Sequence, residues 1–384
     1  MNELLLRLQD IFKEKFDAEP MLYFSPGRIN LIGEHIDYND GYVLPAAIDK
    51  GVYYAVAINN SSTLNFYAVD FAEEFTTDIN KISKGDGWQN YVLSVVNEFL
   101  LLNKNISGFD CVMLGDIPRG SGMSSSAAVE GGLAFALNDL FSCGLNRVEL
   151  ALLCQRAEHN YPGVKCGIMD QFANMLGKKD KVVLLDCKNI THTYFPLELD
   201  DYEIVLVNSN VHHSLASSAY NERRRQCEEG LLMLKETLNN HSFRDMKKWE
   251  DLLTIEMNVD ESVFMRCKYV VQEIGRTVMA AELLQQNKLY EFGQLMYQTH
   301  EGLSKLYEVS CAELDYLVSF AKESPAVIGS RLMGGGFGGC TINLVQKDLV
   351  NEFSEKITDA YRVKFNIETE IYRVKTGDGT RRLS

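Results

Sequence analysis

The sequence of 384 residues has little proline, no long apolar run and fewer basic than acidic side chains. Only 7 prolines occur and 46% of the residues are hydrophobic, which excludes disordered, collagen-like and low-complexity chains. No apolar run approaches the roughly 18 residues that a membrane-spanning helix requires. Acidic side chains number 53 against 38 basic ones, so the net charge is −15. This balance argues against a nucleic acid or an anionic membrane surface as a partner.

The nine cysteines lie between Cys111 and Cys340 and include no C-x-x-C pair. An odd number without metal-ligand spacing is typical of free thiols in a reducing compartment, not of a disulfide framework or a zinc site. The first ten residues have the pattern of an acidic amphipathic helix rather than of a secretion signal. We therefore expect a cytoplasmic protein.

The two halves of the chain differ in their predicted elements. Before about residue 190, short β-branched or aromatic runs bounded by Gly, Asn or Asp predict strands at 21–25, 42–48, 52–58, 63–68, 109–114 and 181–186. The predicted helices are 3–16, 126–141, 147–160, 167–176 and 348–363. A strand at 203–208 precedes a mostly helical stretch from 214 to 322, and strands return at 340–346 and 370–374. We predict an α+β fold with two domains, 1–190 and 191–384.

A segment rich in glycine and serine, residues 115–128, lies between the strand 109–114 and a helix that begins near Ser126. Gly120 and Gly122 permit a close approach of the backbone to a ligand, and the helix N-terminus presents unpaired N–H groups. This arrangement is typical of a phosphate cradle. The alternative is a structural turn with a serine N-cap. The segment lacks the spacing of a Walker loop, a dinucleotide fingerprint or a nucleophile elbow.

A second glycine-rich run, residues 331–340, contains five glycines in six positions. The run leads into a predicted strand and not into a helix, so the dinucleotide-binding context is absent. We interpret it as backbone packed against a ligand or against the other loop, with a tight turn as the alternative.

Charged side chains are dense in the segment 25–41, where Arg28, Glu34, His35 and Asp37 stand among apolar neighbours. Carboxylates and imidazole accept or donate hydrogen bonds with fixed geometry, as a hydroxyl-rich ligand requires. We predict a ligand site here, with a surface loop after a strand as the alternative.

Two further segments carry polar groups in apolar surroundings. Asp170 lies in an apolar stretch where a carboxylate is costly unless it is paired or used. Glu158, at the end of the preceding predicted helix, is a candidate metal ligand, although alone it would be read as a solvated helix end. The segment 208–225 is a polar strand exit followed by a helix.

Together these segments resemble the galactokinases, a group within the GHMP family of small-molecule kinases. Gly-Arg-Ile-Asn-Leu-Ile-Gly-Glu-His-Ile-Asp-Tyr is similar to the sugar signature, and Gly-Ser-Gly-Met-Ser-Ser-Ser-Ala-Ala to the phosphate loop. Cys-Gly-Ile-Met-Asp-Gln-Phe, Asn-Ser-Asn-Val-His-His-Ser-Leu-Ala-Ser-Ser-Ala-Tyr and Gly-Gly-Gly-Phe-Gly-Gly-Cys-Thr resemble three further blocks, in the expected order. The resemblance covers residues 25 to 341.

The resemblance implies a two-domain GHMP kinase fold, an active site in the cleft between the domains, and phosphorylation of the C1 hydroxyl of D-galactose by ATP. It implies ATP and Mg²⁺ as cofactors and a small-molecule sugar as partner, and we expect a monomer or a weak homo-oligomer. The implied catalytic residues are Asp170 and Arg28; the implied sugar-binding residues are Glu34, His35, Asp37, Gly167 and Tyr220. The implied nucleotide-binding residues are Gly120, Ser121, Gly122, Met123, Ser124, Ser125, Ser126 and Trp88, and the implied Mg²⁺ ligands are Ser126 and Glu158.

Two alternatives stay open on the sequence. Ile36 stands where many galactokinases have Thr, and the related N-acetylgalactosamine kinases, as well as some galactokinases, also carry Ile there. The substrate could therefore be N-acetylgalactosamine. A non-catalytic sugar and ATP sensor on the same fold is the second alternative, against which the intact Arg28, Asp170 and phosphate loop argue.

Overall fold

The computed structural model describes residues 3–118, 120–212, 216–246 and 248–383. The strands within these residues are Met21–Asn30 (β1), Tyr42–Val43 (β2), Pro45–Ile58 (β3), Thr63–Ala68 (β4), Glu73–Asp78 (β5), Phe109–Gly115 (β6), Lys181–Asp186 (β7), Thr191–Pro196 (β8), Tyr202–His212 (β9), Val327–Leu332 (β10), Gly338–Gln346 (β11), Glu370–Val374 (β12) and Arg381–Arg382 (β13). The α-helices are Glu3–Lys15 (α1), Gln89–Leu101 (α2), Ser125–Leu140 (α3), Arg147–Asn160 (α4), Met169–Leu176 (α5), Ala216–Leu238 (α6), Glu261–Gln285 (α7), Leu289–Lys305 (α8), Ala312–Glu323 (α9) and Val350–Phe365 (α10). Short 3₁₀ helices span Asp37–Asn39, Val69–Phe71, Ile79–Lys81, Phe243–Asp245, Trp249–Thr254, Glu256–Asn258 and Lys347–Leu349.

The first sheet has the strand order β13-β1-β3-β6-β4-β5 in the described chain. Its neighbouring strands are antiparallel except for the parallel pair of β4 and β6. The register of β1 against β3 shifts between Pro26 and Arg28. Since a β-bulge re-aims the side chains beside it, this irregularity gives Arg28 a direction that regular pairing would not.

Helix α3 packs directly on the strands of this sheet. Its Gly132 lies so close to β3 that an added Cβ would be 2.2 Å from Cε2 of Tyr54. The next helix, α4, begins at a capping box in which Asn146 accepts a hydrogen bond from the Glu149 N–H at 3.1 Å. The Glu149 carboxylate in turn accepts from the Asn146 N–H at 2.7 Å, which fixes where α4 begins.

The second sheet, in the order β10-β11-β9-β12, is antiparallel and covered on both faces. Val205 on one face packs with Leu317 of α9 and with α10. Leu206 on the other face belongs to a core that also holds Phe292 of α8 and Ile29 of β1. One hydrophobic core thus joins β1, and the loop after it, to the second sheet.

The remaining strands tie distant parts of the chain together. The third sheet has the order β2-β7-β8. Strand β13 pairs with β1 next to Tyr23 and Phe24, so the last strand returns to the first sheet. Thr380, just before β13, is fully buried and bonds Oδ1 of Asn174 at 2.7 Å.

Several predicted elements are confirmed and others were missed. Helix α4 and strands β4 and β7 have the predicted bounds, and α1 and α3 agree to within one residue. The predicted helix at 167–176 begins at Met169. Helix α2 and strands β5, β8 and β10 are present without having been predicted. None of the described helices is both long enough and apolar enough to cross a membrane. All nine cysteines, which lie in described positions, are free thiols, as predicted.

Candidate active site

Two cavities are lined by predicted site residues. The first has a volume of about 330 Å³, and the predicted site residues among its lining are Arg28, Glu34, His35, Asp37, Glu158, Gly167, Asp170 and Tyr220. The second has a volume of about 510 Å³, and its lining includes Trp88, Ser125 and Ser126. The structure thus brings together the residues predicted for the sugar, while three of those predicted for the nucleotide, Trp88, Ser125 and Ser126, line the second cavity.

Asp170 and Arg28 form a bidentate ion pair at the first cavity. Nε of Arg28 lies 2.7 Å from Oδ1 of Asp170, and Nη2 lies 2.9 Å from Oδ2. The hydroxyl of Ser124 also donates to Oδ2. Asp170 lies in the first turn of α5, where the positive end of the helix dipole favours a carboxylate. These contacts fix both side chains, with the Asp170 side chain about one quarter exposed.

The loop before α3 has left-handed backbone at three positions and is bonded to Arg28. Gly120 and Gly122 have φ of 70° and 73°, and Ser124 has φ of 57°. The Gly122 carbonyl accepts a hydrogen bond from Nη1 of Arg28 at 2.5 Å. The Met123 carbonyl accepts from the Arg28 N–H at 3.0 Å. The loop is thereby joined to the same arginine that binds Asp170.

The side chains of this loop differ in what they can offer a ligand. The Ser121 side chain is buried and its hydroxyl donates to the Pro118 carbonyl at 2.7 Å, while the Met123 side chain lies in the core. Ser125 is exposed and begins α3. The Ser121 backbone N–H also donates to the Pro118 carbonyl, at 3.4 Å, so of these three residues Ser125 is the one whose side chain is exposed.

The glycine-rich run before β11 lies against the phosphate loop, as interpreted from the sequence. A Cβ on Gly334 would lie 3.6 Å from the Gly122 carbonyl oxygen, and one on Gly339 3.4 Å from that of Gly120. The Gly334 N–H donates to Oε1 of Glu34 at 2.8 Å. The run thus connects the phosphate loop to the first cavity.

Glu34 is held by a fully buried arginine that sequence reasoning did not single out. Oε1 of Glu34 lies 3.1 Å from Nη2 of Arg331 and 3.2 Å from Nη1. Arg331 also donates to the carbonyls of Asn30, Leu31 and Leu332. A buried charge needs such compensation, so this pair fixes the Glu34 carboxylate at the cavity wall.

His35 is packed among tyrosines. Its Nδ1 lies 2.7 Å from the Tyr38 hydroxyl, and its Nε2 lies 3.2 Å from the Gly335 carbonyl. Its ring centroid is 5.3 Å from that of Tyr220, the predicted sugar-binding residue on α6. Burial lowers the pKa of His35 to about 4, so the imidazole is neutral at pH 7.

Asp37 and Gly167 are packed against each other. A Cβ on Gly167 would lie 2.0 Å from Oδ2 of Asp37, so any side chain at Gly167 would displace that carboxylate. Oδ1 of Asp37 accepts from the Tyr38 N–H at 3.0 Å. Burial, followed by the charges of Asp170 and Glu34, raises the pKa of Asp37 to about 7.

Ser126 and Glu158 lie together between the two cavities. The Ser126 hydroxyl bonds Glu158 and lowers its pKa, but burial and the Asp170 charge outweigh this and raise it to about 7. Hydroxyl and carboxylate oxygens suit Mg²⁺, which commonly keeps several waters and phosphate oxygens as further ligands. Among the described residues no group of three or more His, Cys, Asp or Glu could hold a metal. The pair therefore fits a metal ion that is only partly held by protein.

The second cavity has an aromatic wall. Trp88 stacks on Phe71 at 6.2 Å between ring centroids, with an interplanar angle of 17°. Nε1 of Trp88 donates to Glu73 at 2.7 Å. Tyr91, one helical turn after Trp88, also lines the cavity. Flat aromatic side chains beside a phosphate cradle suit a nucleotide base.

Comparisons with known proteins agree with this geometry. The chain matches the family model for the galactokinase galactose-binding signature over residues 10–58, GHMP kinases N terminal domain over 90–178 and GHMP kinases C terminal over 280–363. The galactokinase of Clostridium acetobutylicum is 42% identical over 100% of this chain and 99% of its own. That of Bacillus subtilis is 38% identical over 98% of each. This chain belongs to the galactokinase family.

Solved structures support the same assignment. The Lactococcus lactis galactokinase complexed with galactose has a TM-score of 0.95 at 35% identity and covers 99% of this chain and 100% of its own. A mevalonate kinase, with a TM-score of 0.66 at 19% identity over 93% of this chain and 99% of its own, shares the fold. The predicted α+β GHMP kinase fold is confirmed, and the protein is a sugar kinase.

Sequence reasoning missed several residues of this galactokinase-family site. Phe71 and Tyr91 line the second cavity, and only the spacing of Tyr91 from Trp88, the residue before α2, could have indicated one of them. Arg331 is the first residue of the glycine-rich run 331–340. Its partner Glu34 lies 297 residues away in the sequence, so no local pattern connects the two. Cys166 lines the first cavity next to Gly167, and it is the first residue of the block Cys-Gly-Ile-Met-Asp-Gln-Phe.

Proposed function

We propose that this protein transfers the γ-phosphoryl group of ATP to the C1 hydroxyl of D-galactose, giving galactose 1-phosphate and ADP. The observation that carries the proposal is the bidentate pair of Asp170 and Arg28 where the first cavity meets the phosphate loop. A sugar in that cavity and a nucleotide in the second would have their reacting groups at this pair. The galactose-binding signature and the named galactokinases favour galactose over N-acetylgalactosamine and over a sensor.

In the proposed reaction Asp170 accepts or orients the C1 proton while the C1 oxygen attacks the γ-phosphorus. The bond between the γ-phosphorus and the bridging oxygen breaks, and ADP leaves with that oxygen. Arg28, fixed by Asp170 and by the Gly122 carbonyl, stabilises the negative charge of the transferring group. Phosphoryl transfer asks mainly for positioning and charge neutralisation, which these fixed contacts supply.

The sugar would bind to Glu34, His35, Asp37, Gly167 and Tyr220, which share the first cavity. Asp37 is the group we assign to the C3 and C4 hydroxyls, because it lines the cavity and its Oδ2 has no donor among the described residues. With its pKa raised to about 7, the carboxyl accepts hydrogen bonds when ionised and can also donate one when protonated. Because Gly167 has no side chain, the Asp37 carboxylate can lie directly beside it.

The nucleotide would bind with its phosphates on residues 120–126 and its adenine beside Trp88. The positive-φ glycines and the N-terminus of α3 provide N–H groups for the phosphates. Ser126 and Glu158 are the residues that we propose hold Mg²⁺, which when bound neutralises charge on the ATP phosphates.

Three further assignments concern the whole chain: its domains, its location and its assembly state. We propose the domain division 1–190 and 191–384, with β13 crossing back to the first sheet. We also propose a cytoplasmic location, which the nine free thiols support. A monomer or weak homo-oligomer remains our proposal for the assembly state.

A substrate panel tests the function. We expect ADP formation from Mg-ATP with galactose at a kcat/KM well above that with N-acetylgalactosamine, glucose or arabinose. A higher kcat/KM with N-acetylgalactosamine would contradict the choice of sugar. Binding of galactose and ATP without ADP formation would instead identify a sensor.

A further inference from the structure

Both ring nitrogens of His35 have partners that decide where its proton lies. Nε2 lies 3.2 Å from the carbonyl oxygen of Gly335, and a carbonyl oxygen can only accept a hydrogen bond. Nε2 therefore carries a proton. His35 is buried and neutral at pH 7, since its pKa is lowered to about 4. A neutral imidazole has one donor and one acceptor nitrogen, so Nδ1 is the acceptor.

A chain of three further groups leads from Nδ1 of His35 into the interior. The Tyr38 hydroxyl lies 2.7 Å from Nδ1 and must donate its one hydrogen there. Its bond to the Tyr307 hydroxyl, at 2.9 Å, is therefore one that Tyr38 accepts. The Cys227 thiol, 3.2 Å from the Tyr307 hydroxyl, in turn donates to it. All these hydrogen bonds thus point in one direction, from Cys227 to His35.

The inner end of this chain is closed to solvent and tied to one helix. Tyr307 and Cys227 are fully buried, so water does not compete for their bonds. Nε of Arg223 donates to the Tyr307 carbonyl at 2.7 Å, and Cys227 follows Arg223 by one turn of α6. The thiol keeps its proton, because burial raises the pKa of Cys227 to about 12. The packing of α6 therefore supports the direction of the chain.

We propose that Tyr38 and Tyr307 are positioning residues that hold His35 in the tautomer with its proton on Nε2. Tyr38 acts on His35 directly, and Tyr307 acts through Tyr38. His35 and Gly335 both line the first cavity, and the tautomer decides whether a sugar hydroxyl there meets a donor or an acceptor at Nε2. The inference rests on the proposed sugar-binding role of His35.

Nitrogen NMR on protein with isotope-labelled histidine shows which ring nitrogen of His35 is protonated, and it needs no substrate. The His35 signals are assigned by their loss in His35→Leu. We expect a proton on Nε2 alone in wild type, and a mixture of the two tautomers in Tyr38→Phe, which lacks the donor to Nδ1. A wild-type His35 protonated on Nδ1, or a Tyr38→Phe variant with the wild-type tautomer alone, would overturn the inference.

Steady-state kinetics connect the tautomer to the sugar. Tyr38→Phe leaves the buried Nδ1 of His35 without a donor, so we expect KM for galactose to rise by about fivefold or more. KM for ATP should stay within about twofold of wild type, because Tyr38 is not among the described residues that line the second cavity.

The double variant tests whether Tyr307 acts through Tyr38. Tyr307→Phe alone should raise KM for galactose less than Tyr38→Phe does, and the double variant should have the KM of Tyr38→Phe. A wild-type KM in Tyr307→Phe, or a further rise in the double variant, contradicts the chain. If Tyr38→Phe does not fold, the wild-type tautomer and the KM of Tyr307→Phe still decide the question.

Tyr361→Phe is the matched control. Tyr361 is also fully buried, and its hydroxyl donates to the Ser209 carbonyl at 2.8 Å in the core that α9 and α10 share. The variant should lower the melting temperature and leave both KM values and the His35 tautomer unchanged. A rise in KM for galactose as large as that in Tyr38→Phe would identify a general effect of lost stability and would refute the positioning role.

His35→Leu separates this inference from the proposed sugar site. A raised KM for galactose in His35→Leu, with unchanged KM in Tyr38→Phe and Tyr307→Phe, would refute the positioning role alone. An unchanged KM in His35→Leu would refute the role of His35 in sugar binding and the inference with it. The tautomer is measured without substrate, so it tests the chain even if the enzyme does not phosphorylate galactose.

Discussion

At the scale of single residues, the sequence indicated Asp170 strongly but could not indicate which side chains it contacts. Asp170 stood out because an unpaired carboxylate is costly in an apolar stretch. Its contacts come from Arg28, 142 residues away, and Ser124, 46 residues away. No spacing rule connects such positions, so the resemblance alone linked Asp170 to Arg28.

The structure also refines the predicted sugar contacts. Glu34, His35 and Asp37 were predicted from the density of charge in one segment, and all three line one cavity. Their burial and hydrogen bonds depend on residues such as Arg331 and Tyr38 and on the glycine-rich run. These surroundings come from tertiary packing and were not predictable from the segment itself.

Asp37 carries a prediction about the selection of the galacto configuration. We expect Asp37→Ala to fold, to raise KM for galactose by about tenfold or more for each hydrogen bond lost, and to narrow the ratio of galactose to glucose kcat/KM. A site built to pair a hydroxyl can reject an analogue lacking that pairing by about 10⁴–10⁵. Steady-state kinetics with both sugars measure this.

The control for Asp37 is the Asp37→Asn variant. Its amide oxygen can still accept from the Tyr38 N–H, so the loop contact survives while the charge is lost. If Asp37→Ala loses much of its stability but keeps its full preference for galactose over glucose, then Asp37 only caps its loop. Tyr220 would then be the candidate for sugar selection.

At the scale of elements, the bounds of helices and strands were predicted well where the sequence has a capping signal or a regular hydrophobic period. Elements that lack such a pattern were missed. Helix α4 has its capping box in the sequence, and its predicted bounds are confirmed. Strand β5, Glu-Glu-Phe-Thr-Thr-Asp, is a largely polar edge strand and so lacks the alternation of a half-buried one. Helix α2 has buried residues at successive positions 92–96, so it shows little amphipathic periodicity.

The phosphate loop carries a prediction of its own at this scale. We expect Gly122→Val to raise KM for ATP more than KM for galactose. A side chain at φ of +73° costs about 1–2 kcal/mol and pushes the backbone from its position. Steady-state kinetics with each substrate varied in turn give the comparison.

Gly144→Val is the matched control for the loop. Gly144 has φ of +75° but lies in open space after α3, with nothing within 4 Å of an added Cβ. The Gly144→Val variant should show the same backbone strain as a lower melting temperature, and its KM values for ATP and for galactose should be unchanged. A Gly122→Val variant whose KM rises for galactose alone would contradict the placement of the nucleotide phosphates.

At the scale of the whole molecule, the site forms where two parts of the chain share a core. The sequence predicted a strand-rich and a helix-rich half, and the α+β fold is confirmed. It did not predict that Ile29 and Phe292 belong to one core, or that β13 returns to pair with β1. Such long-range pairing depends on the complete fold and leaves no local pattern.

The Asp170→Asn variant tests whether Asp170 assists phosphoryl transfer to the sugar hydroxyl. Rates of ADP formation with galactose and Mg-ATP should be measured for wild type and Asp170→Asn, together with ATP affinity and melting temperature. General-base assistance is worth about 10²–10⁴ in rate, so we predict a kcat lower by at least that range with ATP binding and folding retained. A folded Asp170→Asn enzyme with a kcat close to that of wild type would show that Asp170 does not assist the transfer.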